Sequence, residues 1–280
     1  MFWTGAAALI ATSATAAPRA CPTSTALARL VAASPVIVEA RMALSPTALA
    51  KAVADRDYVA APLAEATALK GSRPASVQVY PADVPYAPPV DALRKAIDAR
   101  ALLFLTQSGI PPKAYFAGRS PRALVQATRK AEADVRAEIA RQTIAPNARP
   151  IPSPHDAEVR RLIAELGALQ GRAKASARQR AIFTRLEGLG PAAVPAIVAH
   201  MDDHRPLVEP TIALANHGQD AFEGQRHYGP SQVVDALAAI LEQITGESFG
   251  DIDNGGTEAQ RREVVKGWRT YVADLDCPRA

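Results

Sequence analysis

The chain is poor in the features that usually reveal a biochemical activity. It has only two cysteines in 280 residues, no Cys-x-x-Cys pair and no glycine-rich loop of the kind that holds phosphates. No nucleophile stands out, so we assign no catalytic residue and no cofactor. The 32 basic residues form no run and are not interleaved with aromatic residues, which make up 5% of the chain. This dispersion excludes the pattern that is typical of nucleic-acid binding.

The apolar N-terminus and the placement of the two cysteines predict export. Residues Gly5 to Ala11 are apolar, and Ala14-Thr15-Ala16 has the small-x-small pattern of a signal peptide, so we expect cleavage near Ala16. The segment is shorter than the roughly 20 apolar residues that span a bilayer, so stable membrane insertion is not expected. An oxidising compartment, periplasmic or secreted, would join Cys21 to Cys277 in one disulfide. The first four residues lack Lys and Arg, which leaves a cytosolic N-terminus as the alternative.

A proline-rich stretch divides the chain into two halves. Four prolines lie between residues 145 and 154, where they rule out a continuous helix and favour an extended linker. Residues 1–146 carry 17 basic and 10 acidic side chains, whereas residues 147–280 carry 15 and 18. We predict a signal peptide and mature N-terminus over residues 1–20, a β-rich domain over 21–144, a linker over 145–154 and a helical domain over 155–276.

The N-terminal half has the pattern of a small β-barrel. Short β-branched or alternating segments, separated by glycine and proline, predict five strands. These lie at Val36–Ala40, within Tyr58–Leu69, and at Ser76–Tyr80, Ala101–Leu105 and Ala114–Ala117. Helices are predicted before them, at Thr23–Ala33, and after them, at Pro121–Gln142. Five short strands with flanking helices favour a barrel of the OB type.

The order of four short segments in this half resembles a known type of OB barrel. Cys21, Ser34–Val38, Leu69–Gly71 and Leu102–Leu105 follow one another as in netrins and tissue inhibitors of metalloproteinases. Several disulfides brace the barrel in those inhibitors, whereas this domain has a single cysteine. The resemblance therefore implies the barrel and not the inhibitory activity.

After the linker the apolar residues recur at helical spacing, from Val159 onward. The stretch Leu186–Ile197 resembles a HEAT-type repeat, in which glycines end one helix and Pro191 begins the next. Repeats of this kind bury their apolar faces by stacking on neighbours. The predicted fold is therefore α+β, with a small OB-like β-barrel and flanking helices followed by a C-terminal all-α HEAT-like helical domain.

The last part of the chain resembles a family of exported bacterial proteins that has no assigned activity. The resemblance is carried by Phe222–Pro230, Asp235–Leu237, Gln243–Gly250, Asn254-Gly255 and Gly267-Trp268. It implies export and a shared fold. It implies no substrate, so the function has to be inferred from the side chains.

Two histidines give the best candidate for a metal site. His200, Asp202 and His204 combine two imidazoles, four residues apart, with a carboxylate, as in zinc-binding helices. However, Pro206 indicates that the helix ends near Asp202, which would separate the imidazoles. Helix capping and solubility explain these residues better, and we assign no metal.

A second motif lies at Asp251–Gly256, which begins like a calcium-binding EF-hand loop. Positions five and twelve of that loop lack their oxygen ligands. We predict instead a turn that leads into a helix, because Thr257 and Gln260 have the spacing of a capping box.

Polar residues are concentrated near the end of the chain. Stacked helices would bring together Glu223, Arg226, His227, Tyr228, Phe249, Asn254, Trp268 and Arg269. Two interpretations fit: these residues line a ligand groove, or they form a buried polar network that fixes a loop between two helices. We favour the network.

The function we predict is that of an exported, non-catalytic binding or interaction module. Its partner would be a protein or a small molecule and not a nucleic acid. The alternative is a hydrolase, with or without a metal, that works through Glu223 and His227. We favour the binding module because no catalytic motif is recognised in the sequence.

Overall fold

The computed structural model describes residues 21–81, 87–107, 114–117, 120–144, 151–215 and 224–277. In this part of the chain the fold is α+β, with a β-barrel in the N-terminal half and a mainly helical C-terminal half. The helices are α1 (Thr25–Ala33), α2 (Pro46–Asp55), α3 (Val90–Asp98), α4 (Arg129–Ile144), α5 (Asp156–Gly167), α6 (Ala175–Gly188), α7 (Val194–Val198), α8 (Val233–Thr245) and α9 (Glu258–Ala273). The strands are β1 (Val36–Met42), β2 (Val59–Lys70), β3 (Ser76–Val79), β4 (Ala101–Gln107), β5 (Tyr115–Ala117), β6 (Leu124–Gln126), β7 (Ile212–Ala215) and β8 (Gln225–Tyr228).

Five of the strands close into a barrel, which confirms the barrel predicted from the sequence. The strands follow the order β1-β2-β3-β5-β4, and β4 returns to pair with β1. All neighbouring pairs are antiparallel except β3 with β5. Because alternate residues of a strand point to opposite faces, one set fills the barrel with an apolar centre that includes Val38, Val77, Val79 and Leu103.

The segment after the barrel differs from the helix predicted over Pro121–Gln142. Residues Leu124–Gln126 form strand β6, which pairs with Ala101–Leu103 of β4, and α4 begins only at Arg129. This part of the β4 edge lies beyond the residues that pair with β5. Pairing with β6 therefore satisfies backbone groups of β4 that would otherwise stay unpaired.

The C-terminal half is not all-α, contrary to the sequence prediction. Strands β7 and β8 form an antiparallel pair in which Ile212 faces Tyr228. Ile212, Leu214 and Tyr228 are buried, and the residues that alternate with them are more exposed. Each strand has only four residues, so its alternation is too short to stand out against the helical periodicity around it.

The turn expected within the HEAT-type stretch is present, but the helix after it is short. Helix α6 ends at Gly188, and Gly190 takes a φ of 68°, which favours glycine. Pro191 then begins a 3₁₀ turn, and α7 runs only from Val194 to Val198. Helices α5 to α9 share one apolar core with the β7–β8 pair. A HEAT-like arrangement of these helices stays a prediction.

Helix α1 packs against both halves of the molecule. On one side, its residue Val31 joins Ile37 and Phe104 on the outside of the barrel, in a layer that α4 also covers. On the other side, Ala32 and Ala33 pack against the core of the helical half, and α1 contacts α9. The barrel and the helices are therefore joined through α1 and not only through the chain between them.

A disulfide closes this junction, as the sequence predicts. Cys21 precedes α1 and Cys277 follows α9, and their Cα atoms are 5.6 Å apart, within the range that native disulfides span. The bridge joins residues separated by 256 positions in the sequence. Structural disulfides of this kind persist in oxidising compartments, which favours a location outside the cytoplasm.

A buried ion-pair network lies beside the disulfide. The guanidinium of Arg141 in α4 donates hydrogen bonds to both Glu138 oxygens, at 2.8 and 2.6 Å, and to both Asp274 oxygens, at 2.9 Å. Gln142 donates to the Ala28 carbonyl of α1 at 2.8 Å and to Glu138 at 2.7 Å. Burial works against the charge of Arg141, but these hydrogen bonds outweigh it and raise the pKa of its guanidinium.

Only the last part of the predicted linker is described. Residues 145–150 lie outside the described residues, as do residues 1–20 with the predicted signal peptide. Ser153 is buried, and its hydroxyl donates to the Ala192 carbonyl at 2.7 Å while its amide donates to the Asp156 carboxylate at 3.1 Å. The end of the linker is thus fixed at the start of α5. The predicted domain boundaries stay predictions.

No helix of the described residues is by itself long and apolar enough to cross a bilayer. Helix α6 and the segment Pro191–Val198 reach that length and hydropathy only when they are taken together. The two are bent by 100° at the break between them.

The network at Arg141 allows a direct test of the junction. We expect Arg141→Ala to lower the free energy of unfolding by about 3–5 kcal/mol, because the buried Glu138 and the largely buried Asp274 would both lose the guanidinium that they contact. Arg136→Ala on the same helix removes an exposed pair with Glu132 and should cost only about 0–1 kcal/mol. Urea unfolding of the oxidised protein measures both values, and equal losses would contradict a junction held by buried charge.

A second test uses Lys70, at the end of β2, whose ammonium donates to the Val31 carbonyl at 2.7 Å. Burial lowers the pKa of Lys70 from 10.5 to about 8; nearby Glu263 opposes this shift and Lys266 adds to it. The unfolded lysine keeps its proton above the pH at which the folded one releases it. Stability therefore rises as the pH increases from about 8 to 10.5.

Replacing Lys70 should remove this rise. Relative to Lys70→Met, we expect the free energy of unfolding of the native sequence to increase by about 1–3 kcal/mol across that pH range. Lys95→Met, at an exposed lysine of α3, should keep the native profile. Urea unfolding as a function of pH makes the comparison, and parallel profiles for Lys70→Met and the native sequence would refute the assignment.

Candidate functional site

The residues predicted to form one polar cluster are divided between the core and the surface. Phe249 and Trp268 are buried, and their rings meet edge to face with centroids 4.8 Å apart. Tyr271 packs against both rings, with its centroid 5.6 Å from that of Trp268 and 6.0 Å from that of Phe249. A Cβ atom at Gly267 would lie 2.5 Å from the Cβ of Phe249, so only glycine allows this approach. Trp268 therefore lies in a closed core, against which Phe249 packs.

Tyr228 and Asn254 also have structural roles. The Tyr228 hydroxyl accepts a hydrogen bond from the Gln243 amide at 2.5 Å, and burial raises the pKa of this phenol. The Asn254 side chain accepts a hydrogen bond from the Gly229 amide at 2.8 Å. These contacts hold the segment after β8 against α8 and the loop before α9. They agree with the buried-network interpretation for this part of the cluster.

The charged members of the predicted cluster lie on the surface. Arg226 and His227 are exposed on β8, and Arg269 is exposed on α9. Glu223 lies outside the described residues. The hydrolase alternative rests on Glu223 together with His227, and His227 has only strand pairing, with Ala213, in the described part of the chain.

The buried network of this region is formed by residues that the sequence did not suggest. Asp235 is fully buried, and its carboxylate accepts two hydrogen bonds from Arg261, at 2.8 and 2.9 Å. It also accepts the amides of Ser231, at 3.1 Å, and Gln232, at 3.0 Å. This carboxylate thus caps α8 and ties it to α9. The capping position of Asp235, three residues after Gln232, is the signal that could have identified it.

The candidate metal ligands are not brought together. Helix α7 ends at Val198, so His200 and His204 do not share a helix face. Instead His204 lies 3.0 Å from the Gln232 side chain and 3.4 Å from the Glu258 carboxylate. Within the described ranges no three His, Cys, Asp or Glu side chains are grouped to hold a metal ion.

The turn and the capping box before α9 are confirmed. The Thr257 hydroxyl accepts the Gln260 amide at 3.3 Å, and the Gln260 side chain accepts the Thr257 amide at 2.9 Å. These reciprocal bonds fix the N-terminus of α9. The loop Asp251–Gly256 therefore serves as the entry to that helix.

An open groove of about 500 Å³ lies between the barrel and the helical half. Its walls are α1, the end of β4, the segment before β6, Arg226 of β8 and the loop after α8. A smaller hollow of about 180 Å³ continues it and shares Thr106, Gly250 and Asp251. A groove of this size is within the range of small-ligand sites. Of the eight residues predicted to bind a ligand, Arg226 lines the groove and Phe249 lines the smaller hollow.

The groove carries charges of both signs. Arg29 pairs with Glu247 and lies 5.0 Å from the Tyr271 ring centroid, which fixes its guanidinium. Arg122 and Arg226 form no ion pair with a carboxylate of the described residues. The carboxylates of Glu242, Glu247 and Asp251 also lie along the groove, so its net charge is small. Two guanidinium groups are thus available for an outside carboxylate.

The loop after α8, on the groove, contains a motif that is known from serine hydrolases. Residues Gly246–Gly250 match the Gly-x-Ser-x-Gly pattern of serine hydrolases, with Ser248 at the nucleophile position. That chemistry needs a strand before the serine and a helix directly after it. Here Gly246 ends helix α8 with a φ of 70°, and the chain continues as a loop. The pattern therefore serves as a helix stop, and it lacks the context of a nucleophile elbow.

The residues that make the groove are dispersed along the chain. Arg29 comes from α1, Arg122 from the segment before β6, and Arg226 from β8. No spacing in the sequence connects these positions. Only the packing of α1 between the two halves brings them together, so the groove could not have been found from the sequence.

The comparisons with known proteins do not name a relative. No family model, no curated protein and no solved structure matches the chain. The resemblances to netrin-type barrels, to HEAT repeats and to an exported bacterial family stay predictions. The geometry of the groove therefore has to carry the functional argument.

Removing the Tyr228 hydroxyl tests whether this predicted ligand residue has a structural role. We expect Tyr228→Phe to lower the free energy of unfolding by about 1–3 kcal/mol, because the buried Gln243 amide would lose its acceptor. Tyr58→Phe makes the same chemical change at an exposed ring and should cost less than about 0.5 kcal/mol. Urea unfolding gives both values. An unchanged stability of Tyr228→Phe would refute the structural role.

Proposed function

We propose that the protein is a non-catalytic binding module whose ligand lies in the groove between the barrel and the helices. The observation that carries this proposal is the pair of guanidinium groups, Arg122 and Arg226, on one open groove without a carboxylate partner among the described residues. Arginine binds carboxylates through two parallel hydrogen bonds. A ligand that bears a carboxylate, such as the C-terminus or an acidic side chain of a peptide, fits these groups.

The mixed charge of the groove limits the class of ligand. Carboxylates on the same walls would repel a polyanion, which argues against a nucleic acid. They are compatible with a ligand that carries a single carboxylate. The partner would thus be a protein segment or a small molecule.

We also propose that the barrel is of the OB type, that the protein is exported and that its helical half contains a HEAT-like unit. Three features support a barrel of the OB type. They are the order of the strands, the parallel pairing of β3 with β5, and the position of α3 between β3 and β4 in the chain. The disulfide supports an exported protein, periplasmic or secreted, with a cleaved signal peptide. The helix pair α5–α6 and the turn at Gly190 support a HEAT-like unit.

A tripeptide probe tests the groove. Trialanine with free termini should bind weakly and shift the backbone NMR signals of residues on the groove walls. The same peptide with an amidated C-terminus lacks the carboxylate. It should therefore bind roughly tenfold more weakly than free trialanine. Arg122→Gln and Arg226→Gln should each weaken the binding of free trialanine to a similar extent.

The matched control is Arg172→Gln, at an exposed arginine of the loop before α6 that does not line the groove. This variant should bind free trialanine as the native protein does. The proposal fails if free and amidated trialanine bind equally, if Arg172→Gln has the same effect as Arg226→Gln, or if the shifted signals lie outside the groove.

A further inference from the structure

Three aromatic rings meet on the outer surface of the barrel. Tyr58 precedes β2, Tyr80 follows β3 and Phe116 lies in β5. The ring centroids of Tyr58 and Tyr80 are 5.1 Å apart, and those of Tyr58 and Phe116 are 5.5 Å apart. Tyr58 is 55% exposed, more than any other large apolar side chain of the described residues. We call these three residues the aromatic triad.

The pairing of the strands explains why the triad points outward. Val59 pairs with Val79, and both contribute to the apolar centre of the barrel. The next residue on each strand, Tyr58 or Tyr80, therefore points to the outside. Phe116 pairs with Gln78 on β3 and lies between Tyr115 and Ala117, which face the barrel core. The triad is thus held by the closed barrel itself.

Among the described residues, the outward positions beside the triad carry no net charge. The other outward positions of the β2–β3 pair are Ala60, Pro62, Ser76 and Gln78. Arg56 and Asp57, next to Tyr58, carry opposite charges. A nucleic acid would need a set of cations for its phosphates, and these outward positions offer none.

The size of the triad argues against a protein partner. Three fully exposed aromatic side chains would offer roughly 450–750 Å², whereas each side of a stable protein complex contributes about 800 Å². Because Tyr80 and Phe116 are partly buried, the available area is smaller still. A ligand of the size of one or two rings matches it better.

We propose that the aromatic triad is a stacking site for a neutral sugar ring of a glycan. A pyranose has an apolar face that packs on aromatic rings and a rim of hydroxyl groups that form hydrogen bonds. The tyrosine hydroxyls and the Gln78 amide supply partners of that kind beside the rings. Neither the sugar nor these side chains carry a charge, in agreement with the described positions beside the triad.

This site is separate from the groove. None of the three aromatic residues lines it. The two surfaces are neighbours, because Phe116 pairs across β5 and β4 with Thr106, which lines the groove. If the groove did not bind a carboxylate ligand, the proposal for the aromatic triad would therefore not be affected.

The test is calorimetric titration of the full, oxidised chain with neutral oligosaccharides. Cellohexaose, maltohexaose and the hexamer of N-acetylglucosamine cover the common linkages and substituents. We expect at least one of them to bind, and Tyr58→Ala and Tyr80→Ala to weaken that binding roughly tenfold or more. Tyr58→Phe keeps the ring and should retain most of the affinity. Circular dichroism confirms that each variant is folded.

Two controls separate the alternatives. Arg226→Gln, in the groove, should bind the sugar as the native protein does, and oligodeoxythymidine should not bind at the triad. The proposal is overturned if no hexasaccharide binds at millimolar concentration, or if binding survives Tyr58→Ala in full. It is also overturned if oligodeoxythymidine competes with the sugar, or if Tyr58→Ala abolishes a dimer and leaves sugar binding unchanged.

Discussion

The packing of α1 between the barrel and α9 is the constraint on which the rest of the structure depends. The helix covers the outside of β1 and β4 with one face and enters the helical core with the other. Through the Arg29–Glu247 pair it also fixes the loop after α8. The groove exists only because α1 keeps the barrel and that loop at a set separation. The disulfide holds α1 in this position by tying its N-terminal side to the end of α9.

Two buried ion pairs reinforce the same arrangement, and each joins elements that are distant in sequence. Arg141 connects α4 to the end of α9, and Arg261 connects α9 to the start of α8. Burying such charges costs desolvation energy, so their main contribution is less to overall stability than to the choice of one packing arrangement. A barrel shifted against the helices would separate Arg141 from Asp274, while Glu138 on the same helix would stay beside Arg141. The charges therefore act against alternative orientations of the two halves.

The sequence predicts those elements whose signal is local. Strands β1 and β4 are apolar runs, β3 alternates strictly, and the capping box of α9 needs only Thr257 and Gln260. It does not predict β6, because three residues become a strand only when the β4 edge is beside them. The candidate site shows the same limit. Arg226 and Tyr228 are only two positions apart, yet the first is exposed and the second is buried, and the residues that share the groove come from distant elements.

The groove and the aromatic triad lie at places on the barrel that α1 and α4 leave open. Helices α1 and α4 cover the barrel over β1 and β4, whereas Tyr58 of the aromatic triad, next to β2, stays 55% exposed. The exposed part of these rings weakens solubility and adds nothing to the core, so burial does not account for it. On the other side of β4, the same helix α1 that covers the barrel borders the groove with Arg29. Thr106 of β4 pairs with Phe116 of the triad and lines the groove, so the same strand borders both surfaces and its position fixes the distance between them.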